Sequence, residues 1–248
     1  MTLLHVVGFG MGPHHLTWEA AQALTEADYV LAVRKGPSDP LLEVRRAICD
    51  SFGVELVEVS DPERDRDDPA DYPAAVRDWH RARVAAFAEE IAEREGTGAF
   101  LVWGDPSLYD STLRVLEQIA ELVEVTWTVV PGISAPQILA ARHGVVLHDV
   151  GGPVHVTTSR RLRAEIDAGQ GNLVVMLTSD RTLADLADPA LADWRIWWGA
   201  NLGAAGEQLV AGRLGDVVAE LRAAREAARE SAGWVMDLFL LRAPEQAR

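Results

Sequence analysis

The run Gly8-Phe9-Gly10-Met11-Gly12-Pro13, followed by His14 and His15, is the first place where residue types and spacing could do chemistry. Glycines between a strand and a helix let the backbone approach a ligand closely or make a tight turn at positive φ. A dinucleotide fingerprint needs glycine where Pro13 stands and an acidic residue about 20 positions further on. Both features are missing, and the second strand ends instead in Arg34 and Lys35. Pro13 also removes a backbone donor near the helix start. The pattern disfavours a nicotinamide enzyme. His14 and His15 suit either contact with substrate carboxylates or an ordinary exposed surface.

Basic residues gather at Arg34-Lys35, Arg45-Arg46, Arg77 with Arg81 and Arg83, and Arg160-Arg161 with Arg163. Such clusters can line a pocket for carboxylates or sit on solvated faces. The net charge of −15 over 248 residues argues against non-specific nucleic-acid binding but leaves an anionic small molecule open as a partner. The single Cys49 cannot form an internal disulfide, and no Cys/His spacing resembles a zinc site, so no metal is expected. With 48% apolar and 25% charged residues the composition is globular. No apolar run reaches the roughly 18 to 20 residues of a spanning helix, and the N-terminus enters a strand pattern without a basic leader. The expectation is a cytoplasmic protein with no membrane partner.

The elements that must position these residues follow from periodicity. Leu3 to Val7 reads as a strand, Leu16 to Ala27 as a helix, Tyr29 to Val33 as a strand, Leu41 to Ser51 as a helix and Val54 to Val59 as a strand. This βαβαβ order predicts a parallel sheet covered by helices, with ligands at the carboxyl ends of its strands. Asp61 to Asp71 is acidic, arginine-rich and without hydrophobic period, hence a loop. Tyr72 to Glu95 has amphipathic helical spacing, Ala99 to Val102 is a strand, Ser111 to Glu121 a helix and Val123 to Val130 a strand ending at Pro131-Gly132. A boundary is placed there, giving an N-terminal α/β domain over 1–132 and a C-terminal one over 133–248. In the second half the alternation continues, with strands at Val154 to Thr158, Leu173 to Leu177 and near Trp194 to Trp198. Helices fall at Leu162 to Ala168, Leu183 to Leu186 and Gly215 to Glu230, then a last strand at Trp234 to Leu241 and a fraying terminus.

Three segments, VVGFGMGPHHLTWEAAQALTEADYVLA at 6–32, FLVWGDPSLYDST at 100–112 and VVPGISAPQILAARHGVVLHD at 129–149, resemble the tetrapyrrole methylase family. A fourth match runs from Leu173 through NLGAAGEQLVAGRL at 201–214, so the resemblance covers nearly the whole chain in order. The first loop departs from the family's Gly-x-Gly-Pro-Gly pattern, carrying Met11-Gly12-Pro13. The resemblance implies two α/β domains with a cofactor cleft between them, assembled as a homodimer and using S-adenosylmethionine as methyl donor. It implies cofactor contacts at Trp103, Gly104, Asp105, Leu108, Ser134, Ala135, Leu177, Leu202 and Val235. Glycine at 104 would let the chain pass close to the ligand, and Pro106 would fix the exit from the strand. Leu177 reads equally well as ordinary core at the end of a buried strand.

The insertion DYPAAVRDWHRARV at 71–84 is similar to the branch of the family that methylates carbon 1 of precorrin-5 and releases the extruded acetyl group as acetate. That implies an anionic tetrapyrrole substrate, for which Gly10, Gly12, Arg34, Lys35, Arg77 and Arg81 are the candidate contacts. Acetate release needs an activated water, and Asp105, Asp110, His80, His14 and Tyr72 are the residues able to hold or move its proton. The alternatives are another precorrin methyltransferase of the family, a diphthine synthase, or a non-catalytic protein that binds a tetrapyrrole intermediate.

Overall fold

The computed structural model describes residues 1–36, 39–62 and 72–244, the side chains of 72–77 excepted. Most of the acidic loop at 61–71 and the expected fraying end therefore lie outside the described residues. The chain divides into two compact units, Met1–Ile133 and Ser134–Arg248.

In the first unit, five strands form one parallel sheet: β1 (Thr2–Gly8), β2 (Tyr29–Arg34), β3 (Glu55–Ser60), β4 (Gly98–Val102) and β5 (Val125–Val130), in the order β3-β2-β4-β1-β5. Between them run α1 (Trp18–Glu26), α2 (Pro40–Phe52), α3 (Tyr72–Ala92) and α4 (Thr112–Ile119). The helix starts are written locally. The Thr17 hydroxyl accepts from the amide of Ala20 at 3.0 Å, and Asp39 accepts from Leu42 at 3.2 Å ahead of Pro40.

The central strands are buried on both faces, and period-two alternation divides their side chains between two cores. Leu4, Val6, Leu31, Phe100 and Val102 pack with Val84, Phe87 and Ile91 of α3 and Leu116 and Ile119 of α4. Val7, Val30, Ala99 and Leu101 pack with Ala20 and Leu24 of α1 and Ile48 and Cys49 of α2. The two outermost central strands, β1 and β4, are neighbours whose outgoing chains cross to opposite faces, α1 on one and α4 on the other. Such a switch point opens a crevice at the carboxyl ends of the strands.

The second unit holds α5 (Ala135–His143), β6 (His155–Thr158), α6 (Leu162–Asp167), β7 (Asn172–Met176), α7 (Asp180–Asp185), β8 (Arg195–Ala200), β9 (Gln208–Arg213), α8 (Leu214–Ala232) and β10 (Asp237–Arg242). Its sheet runs β6-β7-β10-β8-β9, and only β6 and β7 are parallel. Trp198, Phe239, Ile196, Leu173 and Leu241 centre its core, covered by Leu214, Leu221 and Ala228 of α8.

This corrects the sequence expectation of continued α/β alternation. Residues 201–207 are too short for a parallel crossover, so β8 turns back as a hairpin into β9, which periodicity does not reveal. In β9 only Val210 is buried, and Gly212 leaves its place to Val217. Among the described residues no helix is long and apolar enough to cross a membrane.

Candidate functional site

At the switch point of the first unit, the chain leaving β1 pairs with the chain leaving β4. Gly10 and Gly104 form an antiparallel bridge, with the Gly104 amide donating to Gly10 O at 2.7 Å and the Gly10 amide to Gly104 O at 3.2 Å. The start of the β5 exit joins them. A methyl group on Gly132 would lie 2.1 Å from Gly104 O, and one on Gly8 would lie 2.6 Å from the Gly132 amide nitrogen. Three strand ends thus meet main chain to main chain, which only glycine permits. Gly104 also has φ of +67°, and Gly10 +70°. Gly12 is extended, at φ 167°, and opens the 3-10 turn Pro13–His15.

Asp105 fastens this junction. Its Oδ2 accepts from the Gly132 amide at 2.9 Å and its Oδ1 from the Ser107 amide at 2.9 Å, with the Ser107 hydroxyl on Oδ1 as well. Burial pushes the Asp105 pKa up, but the Ser107 hydroxyl and the Gly132 and Ser107 amides outweigh it and hold the carboxyl below its ordinary value. The group is an ionised, fully engaged acceptor. Asp110 is half-buried and accepts at 2.6 Å from the amide of Thr112, the first residue of α4.

The remaining proton carriers belong to different elements. His14 is exposed on the 3-10 turn after the Gly10–Gly104 bridge. His80 is exposed on α3 with its ring 4.7 Å from that of half-buried Trp79. Tyr72 and Arg77 open α3, and their side chains lie outside the described residues. Burial pushes the Cys49 thiol up to about 11, so it is not a nucleophile at neutral pH.

Of the basic candidates, Arg34 is paired with Glu58 at 3.2 Å and Arg81 with Asp78 at 3.5 Å, and Lys35 is exposed next to Asp39. Arg161 pairs with Glu165 at 2.7 Å and Arg163 with Asp188 at 2.5 Å, which makes the fourth cluster a solvated face. Beside the junction lies a cavity of about 280 Å³ reached by Lys35, Asp39, Arg45, Trp103 and Asp110.

Three non-glycine residues have left-handed backbones, Tyr109, Leu177 and Asn201, at φ of 53°, 54° and 49°. Each follows a strand, in a loop carrying expected cofactor residues: Trp103, Gly104, Asp105 and Leu108 with the first, Leu202 with the third. Strain of this kind concentrates at functional sites. Leu177 is 61% exposed, which removes its reading as core. Leu202 is buried as a whole residue, directly after the left-handed Asn201. Ser134 and its capping partner Gln137 start α5, and Ala135 is buried in its first turn.

Asn201 was not singled out by its sequence, yet it organises the second unit's rim. Its amide donates to Met236 O at 2.9 Å, its Oδ1 accepts from the Met236 amide at 2.9 Å, and its Nδ2 donates to Trp234 O at 3.1 Å and Ala228 O at 3.3 Å. The side chain is buried, and it ties the Leu202 loop to the half-buried Val235. An asparagine after an apolar strand and before Leu-Gly is the only sequence signal, since asparagine tolerates left-handed backbone. Below it, the Asp237 carboxylate accepts from Trp198 Nε1 at 3.0 Å and Arg225 Nε at 3.1 Å. Among the described residues no group of three His, Cys, Asp or Glu side chains is placed to hold a metal ion.

Known proteins share this architecture. The sequence profile of the Tetrapyrrole (Corrin/Porphyrin) Methylases matches residues 3–218. A protein named Precorrin-6A synthase [deacetylating], from a Sinorhizobium species, is 39% identical over 254 aligned residues, covering 98% of this chain and 95% of its own. The crystal structure of a cobalamin synthesis related protein (CobF) from Corynebacterium diphtheriae superposes with a TM-score of 0.82 at 35% identity, covering 98% of this chain and 99% of that one. Uroporphyrin-III C-methyltransferase from Thermus thermophilus, solved with S-adenosyl homocysteine, has a TM-score of 0.63 at 20% identity over 96% of both chains, a likeness of fold.

Proposed function

The chain belongs to the tetrapyrrole methylase family and is an S-adenosylmethionine-dependent methyltransferase of precorrins in cobalamin biosynthesis; we propose that its reaction is methylation of precorrin-5 at carbon 1 with release of acetate, giving precorrin-6A. The observation that carries this reading is the 39% identity, over 98% of the chain, to a protein named for that deacetylating synthesis.

The residues present fit a methyl donor of this kind. Glycine at 8, 104 and 132 leaves main chain alone at the junction, and exposed Leu177 offers an apolar surface that the fold does not use. In the first unit the proposed cofactor residues are Trp103, Gly104, Asp105 and Leu108; in the second they are Ser134, Ala135, Leu177, Leu202 and Val235. S-adenosylmethionine, when bound, supplies a methyl group on a positively charged sulfur. The chain's task is to hold the nucleophilic ring carbon in line with that methyl, so positioning accounts for most of the catalysis. Asp105 serves by fixing the junction, because an ionised carboxylate with both oxygens engaged is a poor proton carrier. Exposed His14, on the turn next to the Gly10–Gly104 bridge, is the residue proposed to activate water for acetate release. Asp110, His80 and Tyr72 remain candidates of the same kind. Gly10 and Gly12 with Arg34, Lys35, Arg77 and Arg81 are proposed as substrate contacts.

We place the enzyme in the cytoplasm as a homodimer that binds no nucleic acid, a reading supported by its net charge of −15 and by the family resemblance. Light scattering at twice the chain mass is the expected result.

The function is tested by incubating the protein with S-adenosylmethionine and precorrin-5, with precorrin-4 as comparison, while following product mass and acetate. Methylated precorrin-5 with one equivalent of acetate is expected. Methylation of precorrin-4 alone would assign a sibling reaction, and cofactor binding without any transfer would assign a tetrapyrrole-binding protein.

A further inference from the structure

Arg45 is a charged side chain whose structural bonds leave it half used. It projects from α2 beneath the junction, with Nε donating to Leu101 O at 3.1 Å and Nη1 to Leu41 O at 3.2 Å. The guanidinium carbon lies 5.8 Å from the ring centre of Phe9 and 5.7 Å from that of Trp103. Two backbone carbonyls and two aromatic rings fix its plane. Among the described residues it forms no ion pair, unlike Arg34, Arg46, Arg83 and Arg94 on the same unit. Among the described residues Nη2 makes no hydrogen bond, and Arg45 lines the 280 Å³ cavity.

Two acids also reach that cavity, but both are committed to the backbone. Asp39 accepts from the Leu42 and Lys35 amides at 3.2 Å each, and Asp110 accepts from the Thr112 amide. Arg83, a third cation on the wall, is spent on Asp61 through bidentate bonds of 2.8 to 3.0 Å. Leu31, Phe87, Phe100 and Val115 supply apolar surface around the polar end. A charged donor with free N–H groups, apolar walls and a volume below that of a whole macrocycle describes a receptor for a short carboxylate arm.

We propose that the cavity beside Trp103 is a subsite for one acidic side arm of the tetrapyrrole, with Arg45 as the donor that anchors its carboxylate and Lys35 at the rim. The subsite rests on the substrate class argued above. It adds a specificity determinant. A macrocycle whose arm at that position is esterified or decarboxylated loses the charge-assisted bond and leaves the guanidinium without a partner.

The test uses Arg45→Met, Arg45→Lys and the cavity-filling Val115→Phe, which retains the arginine. Two readouts are taken: KM and kcat for precorrin-5, and binding of uroporphyrin III, a tetrapyrrole with eight carboxylates, followed by tryptophan quenching without turnover. S-adenosyl homocysteine affinity and the near-ultraviolet circular dichroism of each variant report the cofactor site and the fold. Arg45→Met and Val115→Phe are expected to raise KM and weaken uroporphyrin III binding at least tenfold, with homocysteine-ligand affinity within twofold of the parent and Arg45→Lys between. Unchanged KM and unchanged uroporphyrin III affinity in folded Arg45→Met and Val115→Phe would overturn the subsite. If the parent protein does not methylate precorrin-5, the precorrin-5 reading fails on that result alone, and the uroporphyrin III titrations still decide on Arg45.

Discussion

The main-chain amide of Gly132 donates to Oδ2 of Asp105 at 2.9 Å, across the line where a methyl group on Gly132 would meet Gly104 O at 2.1 Å. One bond thus holds the β5 exit against the β4 exit at the only separation that glycine allows. The acid belongs to the architecture of the rim, and its protonation state becomes a property of folding.

Replacing Asp105 by Ala removes the acceptor of the Gly132 and Ser107 amides and costs about 1–2 kcal/mol at neutral pH. The folded pKa lies below the ordinary carboxylate value, so the ionised group stabilises the fold above its unfolded pKa, and that contribution is lost as pH falls through the folded pKa. Urea titrations should therefore show the gap between parent and variant at pH 7 narrowing steadily on acidification below pH 4. A constant gap would mean that the carboxylate charge contributes nothing.

Gly132→Ala forces main chain against main chain and should destabilise the protein by about 1–3 kcal/mol, read as a lower Tm. Gly36→Ala, where a methyl group meets nothing within 4 Å, serves as the control and should leave Tm unchanged.

Leu177→Gly separates stability from binding. The left-handed leucine is strained by about 1–2 kcal/mol, which glycine relieves at an entropic cost of about 0.5–1 kcal/mol. The variant should melt at the parent temperature or slightly above it, while S-adenosyl homocysteine binds several-fold more weakly in calorimetry. Equal affinity would remove Leu177 from the cofactor residues.

Asn201→Ala deletes the bonds to Met236, Trp234 and Ala228 and leaves buried backbone groups unpaired, for about 2–4 kcal/mol by the usual cost of one to two unsatisfied groups. Faster amide exchange at Met236 and in the 201–206 loop should accompany it. Asn201→Asp keeps the acceptor for Met236 but sets a buried carboxylate oxygen against the Trp234 and Ala228 carbonyls, and should lose more than Asn201→Ala.

The parallel sheet of the first unit was legible because its strands are continuous apolar runs separated by helices with written caps, such as Thr17 and Asp39 ahead of Pro40. The family was legible because three motifs occur in order, and the profile match over residues 3–218 bears that out. The β8–β9 hairpin was not, since an edge strand with one buried residue carries little pattern. Arg45 stood in the sequence as one of several arginines, and only the fold shows that its neighbour Arg46 is paired with Glu58 and Glu43 while Arg45 turns inward. Asn201 was hidden for a related reason. Its partners lie 27 to 35 residues away, and hydrogen bonds at that distance leave no periodicity.

The glycine junction also bears on how such an enzyme can be re-engineered. Where three strand exits touch through bare main chain, no side chain exists to be exchanged, so a library aimed at a new macrocycle gains nothing from positions 8, 104 and 132. Variation has room in the cavity wall formed by Leu31, Phe87 and Val115, where a change of volume alters which arm fits while the rim keeps its shape.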